Sequence, residues 1–307
     1  WNTLNSDDSS TKTYTYSYDA LNRIKGATGT STSDYNLSGI NYDKNGNILN
    51  LQRQGHIVEN PVSGTSEDFG VMDNLNYSYN GNQLHSVTDT GDATFGFKDG
   101  NASDAIYNNG DGNDDFKYDA NGNMIKDANK GITNIAYNHL NLPTSIFFNS
   151  PSGANREINY VYDATGNKLR KEFIDETIDN ETITDYAGNY IYNNNALQFF
   201  NHAEGYFNVT STSGNISGNY VYQYKDHLGN VRLSYSDADD NGNISAATEI
   251  VEESNYYPFG LKHKGYNNVT TSNGNSMAQK YGFTGKEHQD ELGLGWIDIT
   301  ARNYDAA

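Results

Sequence analysis

The 307 residues contain no cysteine, so disulfides contribute nothing and a small stapled extracellular module is disfavoured. Basic residues are scarce too: 20 Lys and Arg stand against 39 Asp and Glu, a net charge of −19. A phosphate-binding face needs clustered Lys and Arg, and no basic stripe exists, so nucleic acid is not an expected partner. No apolar run approaches the ~20 residues of a membrane helix, so no membrane span is expected. The opening WNTLNSDDSS lacks the charged-then-apolar order of a signal peptide. Apolar residues make up only 35%, a low share that by itself would suit disorder. Disordered chains are poor in aromatics, however, and this one has 25 Tyr and 12 Phe. The chain therefore reads as folded, with tyrosine in part of the role that Leu and Val usually fill. Its length suffices for two ordinary domains or one large all-β body.

What is abundant is one phrase, spelled repeatedly. YDANGNMIKD from Tyr118 has near-copies in YDALNRIKG from Tyr18, YDKNGNILN from Tyr42, YNGNQLHSV from Tyr79 and YDATGNKLRKE from Tyr162. YAGNYIY from Tyr186 and YKDHLGNVRL from Tyr224 are looser versions, and Tyr137 occupies a further anchor position. In YTYSYD, Tyr14, Tyr16 and Tyr18 share one face of an extended strand. Tyr220, Tyr222 and Tyr224 do the same in YVYQYK. This is period-two patterning in residues of high β propensity, with no comparable helical period. Each strand meets Asn-Gly or Leu-Gly, where Gly46, Gly122, Gly166 and Gly229 can take positive φ at no steric cost. One repeat is thus a β-hairpin with a loop of about three to five residues. A lone hairpin is marginal in water, so the units are expected to stack edge to edge into a continuous curling sheet. NPVSGTSED (60 to 68), NNGDGNDD (108 to 115) and NVTTSNGNS (268 to 276) read as surface loops.

These Tyr-Asp hairpins resemble the YD repeats of the RHS (rearrangement hotspot) family, related to the C-components of Tc insecticidal toxins and to teneurins. YQYKDHLGNVRLSYSD (222 to 237), NYYPFGL (255 to 261) and YGFTGKEHQDELGLGWIDITARNYDAA (281 to 307) resemble the RHS repeat-associated core segment. The resemblance implies an all-β fold in which YD hairpins form a spiralling curled sheet, a β-cocoon. Residues 1–220 would be shell, and 221–307 a core segment, continuous with it, serving as end plug. Tyr18, Tyr42, Tyr79, Tyr118, Tyr162 and Tyr224 would anchor the repeats. Trp296, Ile297, Ile299 and Tyr304, together with the YYPFG stretch, would be structural parts of the plug.

In function, the resemblance implies a shell that encapsulates and delivers its own C-terminal toxin domain, with a secretion-system or immunity protein as a further partner. Such a protein is secreted or sits at the surface of a bacterium and serves competition between bacteria. The chain stops abruptly at Tyr304-Asp305-Ala306-Ala307 and reads as a piece of something longer, truncated before the toxin. Many family members carry an aspartyl autoprotease in this segment, with two Asp-Pro stretches preceded by Arg. Arg302 and Asp305 match the first stretch, although Ala306 stands where proline is usual. The second aspartate would lie beyond Ala307, and without it no dyad shares a proton. The fragment alone is therefore not expected to be an enzyme, and part of a self-cleaving module is one alternative reading. A cell-surface adhesin whose exposed Tyr rows bind glycans is another.

Other chemistry is weaker. DADDNGN (237 to 243) places Asp237, Asp239 and Asn241 like the start of a calcium loop. Position twelve is Thr248, though, with Glu249 one place late. A solvated acidic turn is the default reading, and no cofactor is expected. NGDGNDD (109 to 115) is a fainter version of the same motif. Glu287, Asp290 and Glu291 in GKEHQDELG read as a short helical turn on a solvated acidic face. The seven histidines show no zinc spacing; His263 and His288 are placed on polar surface segments.

Overall fold

The structure is a computed structural model that describes residues 2–4, 11–29, 33–100, 114–211, 215–265, 273–300 and 302–306. Residues 108–113 and 268–272 of two expected loops, and with them most of the fainter acidic motif, lie outside the described residues. Among the described residues there are β-strands and single-turn 3₁₀ helices but no α-helix. The expectation of an all-β chain built from antiparallel hairpins is what the structure has.

Two compact units share the chain. The first comprises 1–131 with 255–267 and residue 307, the second 132–254 with 268–306. The expected passage from shell to core segment after residue 220, continuous in that reading, falls inside the strand Ser217–Lys225, which pairs on both sides. The NYYPFGL stretch, expected to join the C-terminal residues as one plug, belongs instead to the first unit.

In the first unit seven strands from Asn2–Leu4 to Gln83–Asp89 pair antiparallel in strict chain order. The hairpin Phe116–Tyr118 with Met124–Asp127 follows. Its core gathers Leu37, Ile40, Leu51, Met72, Leu75 and Val87 with Tyr14, Tyr35 and Tyr257. In the second unit the strands from Ile132–Tyr137 to Ile250–Glu253 also pair each with the next. A separate three-stranded sheet, Glu287–Gln289, Trp296–Asp298 and Asn303–Asp305, completes that unit.

One irregularity recurs at the repeat tyrosine. The ladder shifts register between Ser17 and Tyr18, Asn41 and Tyr42, Ser78 and Tyr79, Lys117 and Tyr118, and Val161 and Tyr162. Each shift leaves one extra residue on the returning strand, a β-bulge. With Tyr18 opposite Ile24 and Ser17 opposite Gly26, the extra residue is Lys25. A bulge reverses the alternation of faces, so residues three apart come to lie on the same side. Ile24 and Ala27, Ile48 and Leu51, and Leu84 and Val87 all enter the first unit's core in this way.

Candidate functional site

The repeat turn is the smallest built feature. Asp43 Oδ1 accepts the backbone N–H groups of Asn45 and Asn47, both at 2.8 Å, and its Oδ2 accepts the Asn47 side-chain amide at 2.8 Å. Asp119 does the same with Asn121 and Asn123, Asp163 with Thr165 and Asn167, and Asp226 with Leu228 and Asn230. In the first copy Arg23 Nε replaces the amide on Asp19 Oδ2 at 2.8 Å. Asn138 holds Leu140 and Leu142 with its side-chain oxygen alone. The fourth loop residue is left-handed throughout, for instance Gly122 at φ 83° and Asn22 at φ 58°, which explains the Gly or Asn there. Hydrogen bonds from the Asn123 and Asn167 amides lead in holding Asp119 and Asp163 below the usual carboxylate range. The carboxylate of the Tyr-Asp phrase is thus the turn's organiser, a role that the sequence reading, fixed on tyrosine and glycine, missed. The signal was there in the invariant Asp-x-x-x-Asn spacing of several copies.

The repeat tyrosines divide by environment. Tyr42 donates its hydroxyl to the Ile24 carbonyl at 2.7 Å and Tyr118 to that of Leu84 at 2.9 Å. In each case the acceptor is the residue opposite the preceding repeat tyrosine, so one repeat is tied to the last. Burial raises the Tyr79 hydroxyl to about 12, and pushes that of Tyr162 up further. Tyr18 and Tyr224, in contrast, are 57% and 63% exposed. On Ser217–Lys225 the tyrosine face points outward and Val221 is the residue in the core.

The outward tyrosines belong to a row crossing several strands of the second unit. Tyr190, Phe200, Phe207 and Tyr220 are successive cross-strand partners. Their neighbouring ring centroids lie 5.3, 5.1 and 5.0 Å apart. Tyr222 continues the row and stacks on Tyr235 at 5.7 Å. Tyr190 and Tyr220 are 46% and 54% exposed.

In the acidic segment GKEHQDELG Asp290 is exposed as expected, but Glu287 and Glu291 are not part of a solvated face. Glu287 is buried, and its carboxylate receives Lys168 Nζ at 2.6 Å, Lys171 Nζ at 2.7 Å and the Tyr186 hydroxyl at 2.9 Å. Lys168 also reaches Asp298 at 2.6 Å, and Lys171 reaches Glu291 at 2.8 Å. Lys280 joins Asp290 at 2.5 Å and Glu291 at 3.2 Å. Burial alone would raise the Glu287 carboxyl, but Lys168 and Lys171 outweigh it and hold it at about 2. Burial likewise disfavours the Lys171 ammonium, and Glu287 and Glu291 reverse the sign. Glu291–Gly293 forms one 3₁₀ turn, and Gly285 ends another, Phe283–Gly285. Lys168 and Lys171 can meet one carboxylate because of the bulge. Tyr162 faces Lys168 and Val161 faces Arg170, so Leu169 is the extra residue and the two lysines share a side. Tyr160 adds a hydroxyl bond to Gln289 at 2.6 Å.

The other expected residues fall as follows. Trp296 and Ile297 are buried, whereas Ile299 is exposed and Tyr304 half-buried against Phe283 at 6.4 Å. Packing of Ile299 in a plug is thereby corrected: it sits in the turn between two short strands, where its backbone N–H bonds the Arg302 carbonyl. Asp305 is half-buried on the last strand opposite Trp296, and Arg302 is exposed in the turn before it. His263 is not on the surface. It is buried, stacked on Tyr35 at 4.4 Å and edge-on to Tyr257 at 4.3 Å. Asp237 and Asp239 do meet a third carboxylate, and it is Glu249, with ligand atoms within 4.8 Å. Asn241 instead donates its amide to Asp239 at 2.7 Å. Each Glu249 oxygen already accepts a backbone N–H, from Ala238 at 2.8 Å and Ser245 at 2.7 Å. The carboxylates as built close a loop.

No protein-family model matches the chain, and no curated protein matches it in sequence. Solved structures do. The TcdB2-TccC3 crystal structure is similar over 99% of this chain with a TM-score of 0.55 at 14% identity. The same complex without its hypervariable C-terminal region gives 0.53 at 14%, and the TcdB2-TccC3-Cdc42 structure 0.55 at 15%. This chain spans 16% of the length of those chains. At such identity the likeness shows a shared fold.

Proposed function

We propose that this chain is shell from an RHS-type toxin: a wall of Tyr-Asp hairpins that encloses a toxic domain lying outside these residues and delivers it. The observation that carries the reading is the strict chain-order pairing of hairpins, in a fold shared with TcdB2-TccC3 along nearly the whole chain. Such a wall extends by adding hairpins, and it holds cargo by exclusion rather than by a catalytic cleft. Export from a bacterium, and an immunity or secretion-system partner, follow from that role. In a longer protein Arg302 and Asp305 would supply half of an autoproteolytic site, so Asp305→Asn should block release of the cargo there. Limited proteolysis of the longer protein tests containment. A resistant shell with retained cargo supports it, and rapid digestion of both rejects it.

A second reading rests on the exposed aromatic row. Rings at about 5 Å spacing, with the His202 imidazole edge-on to Tyr220 and Tyr222, suit contact with sugar faces. Saturable binding on a glycan array, lost in Tyr220→Ala with Tyr222→Ala, would favour an adhesin over a shell.

A further inference from the structure

Six Asn-Gly pairs occur in the chain, at Asn45, Asn80, Asn109, Asn121, Asn241 and Asn273. In such a pair the glycine nitrogen is a nucleophile towards the asparagine Cγ, because no glycine Cβ hinders the approach. The N–Cγ bond forms, the Cγ–Nδ2 bond breaks, and ammonia leaves with the proton given up by the glycine N–H. Water then opens the cyclic imide at either carbonyl and leaves aspartate or isoaspartate. Nothing but water is consumed. The glycine nitrogen must shed its proton, however, and an N–H held by an acceptor is withdrawn from the reaction.

Asn109 lies outside the described residues. The Gly46 and Gly122 N–H groups donate to the Asp43 and Asp119 carbonyls at 3.3 and 3.1 Å, closing their repeat turns. Gly242 N–H donates to Asp237 Oδ2 at 2.9 Å. At Asn273 the asparagine itself is held. Its side-chain amide donates to the Thr248 carbonyl at 3.2 Å, and its backbone carbonyl accepts the Asn208 and Asn219 amides at 3.2 and 3.3 Å. Asn80-Gly81 differs from all of these. Gly81 opens the two-residue loop between the strands Phe69–Asn80 and Gln83–Asp89. Its N–H makes no hydrogen bond among the described residues, and the space beside its Cα is open. Both residues of the pair are exposed.

From this contrast we infer that Asn80 is a self-modification site, converting to aspartate or isoaspartate ahead of the other described Asn-Gly pairs. Either product puts a negative charge on the turn. Isoaspartate also adds a methylene to the backbone where Asn80 faces Gln83. Hairpin register depends on loop length, so the pairing of these two strands loosens at that end. Asn82 moves with it, and its side-chain oxygen holds the Asn45 and Asn47 amides at 2.9 and 3.1 Å. The change therefore reaches the neighbouring repeat turn.

Peptide mapping by mass spectrometry of the folded full chain, aged in mildly alkaline buffer, tests this. Asn80 is expected to convert severalfold faster than Asn45, Asn121, Asn241 and Asn273. In concentrated urea, which removes the hydrogen bonds but leaves the sequence, the five rates should converge. Asp237→Ala, in an exposed loop, frees the Gly242 N–H and should quicken Asn241 severalfold with Asn80 unchanged. Equal rates in the folded chain, a faster conversion at any of the other four, a spread that persists in urea, or an Asn241 rate unmoved by Asp237→Ala overturns the inference.

Discussion

Replacing Asp163 by asparagine keeps one side-chain oxygen for the Thr165 and Asn167 backbone N–H groups, whereas alanine leaves both donors to water. Asn138 already performs that task in a neighbouring turn. Asp163→Asn should therefore retain nearly all the stability that Asp163→Ala loses, a comparison readable as urea midpoints of the two variants. The ionised turn carboxylates also set an acid limit. Their folded pKa values lie below the ordinary value of 3.8, so their contribution is complete above about pH 4 and is lost as pH falls below it. The Asp237 loop behaves differently towards cations. Because the Glu249 oxygens already accept Ala238 and Ser245 N–H groups, added calcium is expected to leave the thermal midpoint unchanged; a rise would identify a metal site.

At the scale of the strand, the bulge decides what the repeat can present. Inserting one residue between Val161 and Tyr162 would give Leu169 an opposing partner, restore plain alternation in Lys168–Asp175 and send Lys168 and Lys171, three places apart, to opposite faces. The second unit should then lose cooperative unfolding, while deletion of the exposed loop residue Gly153 should not produce that effect. Glu287→Gln probes the same contact without moving the backbone. It removes the charge that faces the buried Lys171 and the part-buried Lys168, and breaking such a buried pair costs about 3–5 kcal/mol. The pH profile carries the sign. The Glu287 carboxyl falls from an ordinary 4.5 to about 2 in the fold, so its contribution is full above pH 4.5 and disappears as pH drops towards 2. Stability measured across that window should be flatter in Glu287→Gln than in the parent chain.

On the scale of the molecule, residues distant in sequence complete each unit. Tyr257 lies far along the chain from the first seven strands, yet it donates to the Gln54 carbonyl at 2.5 Å and its ring lies 5.5 Å from the Arg53 guanidinium. Arg53 and Asp73 form a fully buried ion pair at 2.6 Å beside that ring. Tyr257→Ala should cost about 3–5 kcal/mol, the range for truncating a buried aromatic. Amide hydrogen exchange should quicken in Ile48–His56 and stay unchanged in Lys168–Asp175, although the latter strand is nearer in sequence. Uniform quickening of both would contradict the assignment of 255–267 to the first unit.

Hairpins, turn positions and the all-β class were legible in the chain because they depend on contacts a few residues apart: Tyr, Asp and Gly recur at spacings that only a strand and a tight loop can use. The same local information failed for Glu287 and His263, which read as polar surface and are buried. Nothing near Glu287 in sequence announces Lys168 and Lys171, and nothing near His263 announces Tyr35. A charge or ring is placed inside or outside by partners brought from more than a hundred residues away, and a bulge can reverse which side they face. Local hydrogen-bonding geometry was therefore the sequence's to determine, while burial, ion pairing and the composition of each core were decided by the tertiary structure.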